Sequence, residues 1–294
     1  MRRARPRAVG PSYLRSSPPR EDVQEPGRPS RTTWPGGSPL ESHSVTSPFF
    51  TSQGAEFVPA AHAHSPWSPG MLHGRLLGGL AARAIESRYA DPDLHVARLT
   101  VDLFRNSPML PVTVETALVR DGRRIRVADA TIRTEQGVIG RVSAVLLRTS
   151  EQPENQPVLT DPWDETPPDG PPEPSTGWEP PFEMWWVPGQ RRLWMREDRP
   201  LVDDEKLTPI VRTALAGDFA SPLTSMAEGG VAFINADYTL TLARMPGSEL
   251  IGMEATGRVA AAGVATGQVT LHDTTGPFGF CVVTALANPV PLRG

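Results

Sequence analysis

Asp218 is the residue of this chain best placed to do chemistry. It follows a stretch at 203–217 in which Leu207, Ile210, Val211, Ala214 and Leu215 recur at helical spacing, so a helix with one apolar face is expected there. Asp203 or Asp204 can cap its start, and Gly217 can accommodate its end. The strand expected at 231–244 carries Asn235 and Asp237, and places Thr239 and Thr241 between Tyr238, Leu240 and Leu242 with a period of two. A helix laid across a sheet brings Asp218 beside those polar side chains. A carboxylate so placed can orient a water and partly deprotonate it, which is the layout of an active site.

A second candidate is the pair His73-Gly74 at the start of an earlier helix. Amides at a helix start point at an anion or a carbonyl, so this turn can bind either one, or His73 can serve as a plain cap. His62 and His64 alternate on one strand face without a third ligand at zinc-like spacing, and no metal site is expected. The single cysteine, Cys281, lies in an apolar strand and is expected as a buried structural thiol of a cytoplasmic protein. It has no neighbouring His, and there is no G-x-S-x-G elbow, so no covalent nucleophile is expected. Trp178, Trp185, Trp186 and Trp194 are expected to pack at a seam rather than form a sugar platform. Arg191 and Arg192 either meet phosphates or face water. Asp237 either faces solvent or supports the site.

The elements that must position these residues occur twice. A helix at 71–89, with Leu77, Leu80, Ala81, Ala84 and Ile85 on one face, precedes strands at 95–105, 112–119, 124–133 and 138–147. Gly74, Gly78 and Gly79 weaken that helix, so they are expected to permit close packing or backbone access to a ligand. Asp121-Gly122 and Gln136-Gly137 mark tight hairpins. The helix at 203–217 likewise precedes strands at 231–244, 250–259, 263–272 and 277–287. Between the halves, residues 150–177 hold eight prolines and no periodicity, and read as a linker.

Composition bounds the rest. Residues 1–47 hold eight Arg against four acids with few aliphatics, and are expected to be a disordered tail. They read as a presequence, a solvated arm or translation from an upstream start; without an apolar core after the Arg residues, a secretory signal is disfavoured. With a net charge of −4 for the whole chain, the part beyond this basic tail is acidic, which argues against a nucleic-acid surface. No apolar run is long enough to span a bilayer.

The repeat extends to LTVDLFRNSP (99–108), which lies over DYTLTLARMP (237–246) and pairs Arg105 with Arg244 after a one-residue adjustment. With FFTSQGAEFVPAAHAHSPWSPGMLHGRLLGGLAARAIE (49–86) and VAFINADYTLTLARMP (231–246), residues 48–290 resemble the type II acyl-CoA thioesterase family in its actinobacterial thioesterase-like branch, over about four-fifths of the chain. The resemblance implies an α+β double hot-dog, with two tandem antiparallel sheets each wrapped around a long helix. The N-terminal hot-dog would span 48–149 and the C-terminal one 178–290.

It further implies hydrolysis of acyl-CoA thioesters by a carboxylate-activated water, with no cofactor, in a dimer formed through the outer strands. In the family a helix-borne Asp, a hydroxyl or amide on the next strand and a Gln on the last strand hold the water. By position these fall on Asp218, Asn235 and Thr284. Threonine is shorter than glutamine and lacks its paired donor and acceptor, so weakened activity is expected. His73 and Gly74 are the expected substrate-binding turn, for the thioester oxygen or a phosphate. The alternative is a non-catalytic acyl-CoA or fatty-acyl binding protein of the same fold. A hot-dog hydratase would pair Asp with His in one helix-capping loop, and FASPLTSMAEGG (219–230) has no His.

Overall fold

The computed structural model describes residues 47–155, 157, 159–172, 180–227 and 229–292. The expected tail and Trp178 lie outside the described residues, apart from Ser47. The N-terminal half runs β1 (Phe50–Gln53), β2 (Glu56–Pro59), β3 (His64–Ser65), β4 (Ser68–Leu72), α1 (Gly74–Tyr89), β5 (Leu94–Leu103), β6 (Thr113–Asp121), β7 (Ile125–Thr134) and β8 (Gly137–Arg148). The C-terminal half runs β9 (Glu183–Trp186), β10 (Arg192–Arg196), α2 (Pro209–Gly217), α3 (Ala220–Ser225), β11 (Met226–Ala227), β12 (Gly230–Leu242), β13 (Leu250–Ala261), β14 (Val264–Asp273) and β15 (Gly276–Leu292). Two short hairpins, β1–β2 and β3–β4, stand apart from the main sheet.

The halves share one antiparallel sheet of eleven strands, ordered β6-β7-β8-β5-β12-β15-β14-β13-β10-β9, with β11 paired to β12. This corrects the expectation of two separate sheets. A four-stranded half would leave β5 and β12 as open edges with unpaired backbone groups, and here those edges pair with each other. Thr100 and Thr239 face each other across that seam, their hydroxyls 3.1 Å apart. Inward side chains of both halves, from Leu99 and Val101 to Tyr238, Leu240 and Cys281, join the helices in one apolar core.

The second helix also departs from expectation. Asp203 and Asp204 do not cap it. Asp203 accepts from the Ser52 amide at 2.8 Å, and Asp204 adopts a positive φ of 60°. The helix begins at Pro209, because proline drives the residue before it out of the helical region and is itself suited to the first turn. Thr208 is the cap, accepting from the Val211 amide at 3.4 Å. Pro222 has no N–H to offer the Asp218 carbonyl, so the ladder breaks and the chain resumes as α3. The second half therefore has two short helices in place of one long one. The first helix starts at Gly74 rather than Met71, because Met71 and Leu72 belong to β4.

Gly78 packs against the sheet: a Cβ there would lie 1.8 Å from the Tyr238 hydroxyl. The linker is docked at Trp163. The Trp163 ring stacks on His272 at 4.4 Å and contacts Trp194 at 5.0 Å, above Gly252, where a Cβ would lie 2.1 Å from the indole. Among the described residues no helix is long and apolar enough to cross a membrane.

Candidate active site

α1 and α2 run antiparallel, which their end contacts establish. At one end the Thr208 hydroxyl donates to Glu86 at 2.6 Å, and at the other Asp218 lies beside His73, Nδ1 to Oδ2 3.7 Å. The carboxylate that ends α2 therefore meets the amino-terminal, electropositive end of α1. His73 offers α1 no side-chain cap, and the Leu76 amide turns back to the His73 carbonyl at 3.0 Å. The Gly74 and Arg75 amides are thus the open donors of this helix start. A Cβ on Gly74 would lie 3.7 Å from Asp218 Oδ1 and 3.1 Å from Leu103, so glycine keeps the approach between amide and carboxylate clear.

Asn235 Nδ2 donates to Asp218 Oδ1 at 2.8 Å. Its inward orientation depends on a bulge. Tyr238, Leu240 and Leu242 of β12 point into the core, so strict alternation would send Asn235 to the opposite face. The register slips by one residue between Asn235 and Asp237, and the slip returns Asn235 to the Asp218 side. The sheet also holds the last turn of α2. The Tyr238 hydroxyl donates to the Ala214 carbonyl at 2.7 Å, and the Cys281 thiol to the Gly217 carbonyl at 3.3 Å. Cys281 is fully buried, and burial pushes its thiol well above the ordinary range.

Asp218, Asn235, His73 and Gly74 line one cavity of about 320 Å³. Its polar residues include His73, Asp218, Asn235, Ser65 and Ser107; much of its wall is apolar, from Trp67, Met71, Leu72, Leu77, Leu103, Ile234 and Leu286. Asp218 is 7% exposed. Burial raises its carboxyl above the ordinary range, opposed by the Asn235 hydrogen bond and by the Arg75 charge. Burial lowers His73 well below its ordinary value, with the Arg75 and His64 charges adding to the effect, so its imidazole is neutral. Arg75 itself turns away to a buried ion pair with Glu197, its guanidinium over the rings of Phe49 and Phe182 at 5.0 and 4.7 Å.

The structure thus brings together Asp218, Asn235, His73 and Gly74, and leaves Thr284 out. Thr284 is exposed and tied to Asp237, through its amide at 3.0 Å and its hydroxyl at 2.6 Å. Cys281, Val283 and Ala285 of β15 face inward, so Thr284, of opposite parity, faces away. Leu286 is the residue of β15 that lines the cavity. Arg191 and Arg192 are also occupied. Arg191 donates to the carbonyls of Thr224 and Met226, while Arg192 pairs with Glu254, Asp164 and Glu165. The β3–β4 hairpin and residues 103–107 also wall the cavity; the sequence marks 99–108 as part of the repeat, but nothing in its pattern points to a pocket.

A sheet with this strand order and a cavity between opposed helix ends defines a hot-dog protein, and solved structures share the fold. A protein of Novosphingobium aromaticivorans described as a thioesterase is 20% identical, with a TM-score of 0.64 over 82% of this chain and 99% of its own. A hot-dog protein from Alicyclobacillus acidocaldarius is 16% identical, with a TM-score of 0.60 over 85% and 100%. An acyl-CoA thioesterase II from Mycobacterium marinum is 18% identical, with a TM-score of 0.53 over 73% and 90%. No curated protein matches the chain. Residues 63–147 match the acyl-CoA thioesterase N-terminal domain and residues 144–286 the C-terminal domain of that family. The chain belongs to the acyl-CoA thioesterase family.

Proposed function

We propose that the protein hydrolyses acyl-CoA thioesters with a water activated by Asp218. The observation that carries this reading is a buried carboxylate, held by Asn235, facing the uncapped start of α1 inside one largely apolar cavity. The thioester carbonyl lies at the helix start, its oxygen toward the Gly74 and Arg75 amides, which stabilise the oxyanion as it forms. Asp218 takes a proton from the attacking water, Asn235 fixes the carboxylate, and neutral His73 borders the same space. Collapse of the tetrahedral adduct expels the thiolate, which recovers the proton from Asp218. The acyl chain occupies the apolar wall near Leu77, Leu103 and Ile234. Thr284 has no part in this scheme, and Leu286 stands at the cavity in place of a polar residue from the last strand.

A free-thiol assay over short, medium and long acyl-CoAs tests the reading. Release of CoA with saturation kinetics supports it. Saturable binding of acyl-CoA without thiol release establishes the non-catalytic binder instead.

A further inference from the structure

The duplicated halves build the same clasp twice. In the C-terminal half Arg244, just past β12, reaches the β14–β15 turn and donates to the carbonyls of Gly276 and Pro277 at 3.1 and 3.3 Å. Its charge is met there by Asp273, through contacts of 2.5 and 2.9 Å, and Asp273 also accepts from the Thr275 amide at 2.8 Å. In the N-terminal half Arg105, just past β5, reaches the β7–β8 turn and donates to the carbonyls of Val138 and Gln136 at 2.7 and 3.4 Å. Gly137 and Gly276 occupy corresponding places with positive φ, 110° and 121°.

One position differs. Where Asp273 stands in the second half, the first has Thr134, whose hydroxyl accepts from the Gln136 amide at 3.3 Å. The clasp is kept and its counter-ion is lost. Among the described residues no carboxylate stands within ion-pair distance of Arg105, and carbonyl partners leave its full charge in place. This uncompensated copy lines the cavity, beside Phe104, which is 55% exposed; Arg244 does not line it. A fixed, unpaired guanidinium at the exposed rim of a cavity is suited to a phosphate oxygen.

We infer that Arg105, freed of a counter-ion by Thr134, is the subsite for the phosphate-bearing arm of the thioester, at the mouth of the cavity that Asp218 shares. This inference rests on the thioesterase reading. The decisive variant is Thr134→Asp, which gives Arg105 the counter-ion Arg244 already has while preserving the clasp; Arg105→Gln removes the charge outright. Each is assayed with acyl-CoA, acyl-phosphopantetheine and acyl-pantetheine, the last lacking phosphate.

Both variants should raise KM for acyl-CoA about ten-fold, leave KM for acyl-pantetheine unchanged and hold kcat within about two-fold. A matching rise for acyl-phosphopantetheine assigns the pantetheine phosphate, and a rise for acyl-CoA alone assigns the nucleotide phosphates; both support the subsite. Equal KM changes for all three substrates, or none, overturn it. If the wild type turns over none of them, the thioesterase reading fails, and calorimetric titration with CoA and pantetheine decides the subsite separately. Weaker CoA binding by Thr134→Asp with unchanged pantetheine binding upholds it; unchanged or undetectable CoA binding overturns it.

Discussion

Asp237 accepts two hydrogen bonds from Thr284, one from its amide at 3.0 Å and one from its hydroxyl at 2.6 Å. The pair sits where the β12–β15 register slips, so it fastens the bulge that turns Asn235 toward Asp218. Asp237→Ala should therefore lower kcat about ten-fold although Asp237 does not line the cavity. Thr284→Ala, which keeps the backbone amide, should hold kcat within about two-fold. Steady-state kinetics on both variants check this, and a larger loss for Thr284→Ala would place Thr284 in the reaction after all.

The pH dependence follows from the buried carboxylate. Asp218 acts as base only when ionised, and burial raises its folded pKa, so activity is retained above that value and lost as pH falls through it. The acid limb of kcat should lie above the ordinary aspartate range of about 3.9. His73 is held well below its ordinary value and should add no limb near about 6.5. A kcat profile with its only acid limb near pH 6.5, abolished by His73→Gln, would transfer the base role to His73.

Gly78 sets how closely α1 approaches the sheet. Gly78→Ala would put a methyl 1.8 Å from the Tyr238 oxygen and 2.9 Å from its ring, displacing the hydroxyl from the Ala214 carbonyl. Overpacking of this kind costs about 1–3 kcal/mol. Urea denaturation should show that loss, and Tyr238→Phe in the same background should recover part of it, since the oxygen is the nearer clash.

Much of the fold was legible in the sequence, because strands announce themselves by alternation and by glycine turns. The eight expected strands appear, seven of them within about two residues of their bounds while β15 runs on to Leu292, and Ile210, Val211, Ala214 and Leu215 do form the buried face of α2. What escaped was non-local. Pro209 shortened the second helix at its start, although the apolar pattern begins at Leu207, while its end at Gly217 fell where expected. The pairing of β5 with β12 depends on two edges separated by over a hundred residues. Asp218, Asn235 and His73 could be named from type and position, but the bulge at Ala236 that unites two of them has no signature in composition. Thr284 lies away from Asp218 because the alternation from Cys281 to Ala285 turns it toward the outer face, which its residue type does not reveal.

Arg75 and Glu197 link the halves through an ion pair whose side chains are only 3% and 2% exposed. Arg75→Met leaves the Glu197 carboxyl buried without its cation and should cost about 3–5 kcal/mol of stability. Adding Glu197→Leu should restore most of it, because the two desolvation penalties vanish together. Chemical denaturation of the single and double variants reads this directly; additive losses would mean that the pair is not the unit.

The most direct test of the account is kcat for acyl-CoA hydrolysis by Asp218→Asn. Asparagine keeps the shape and can still accept from Asn235, but it cannot take a proton from water. The kcat should fall by a factor of about a hundred or more while acyl-CoA binding is retained. Turnover equal to that of the wild type would contradict this and remove Asp218 from the mechanism.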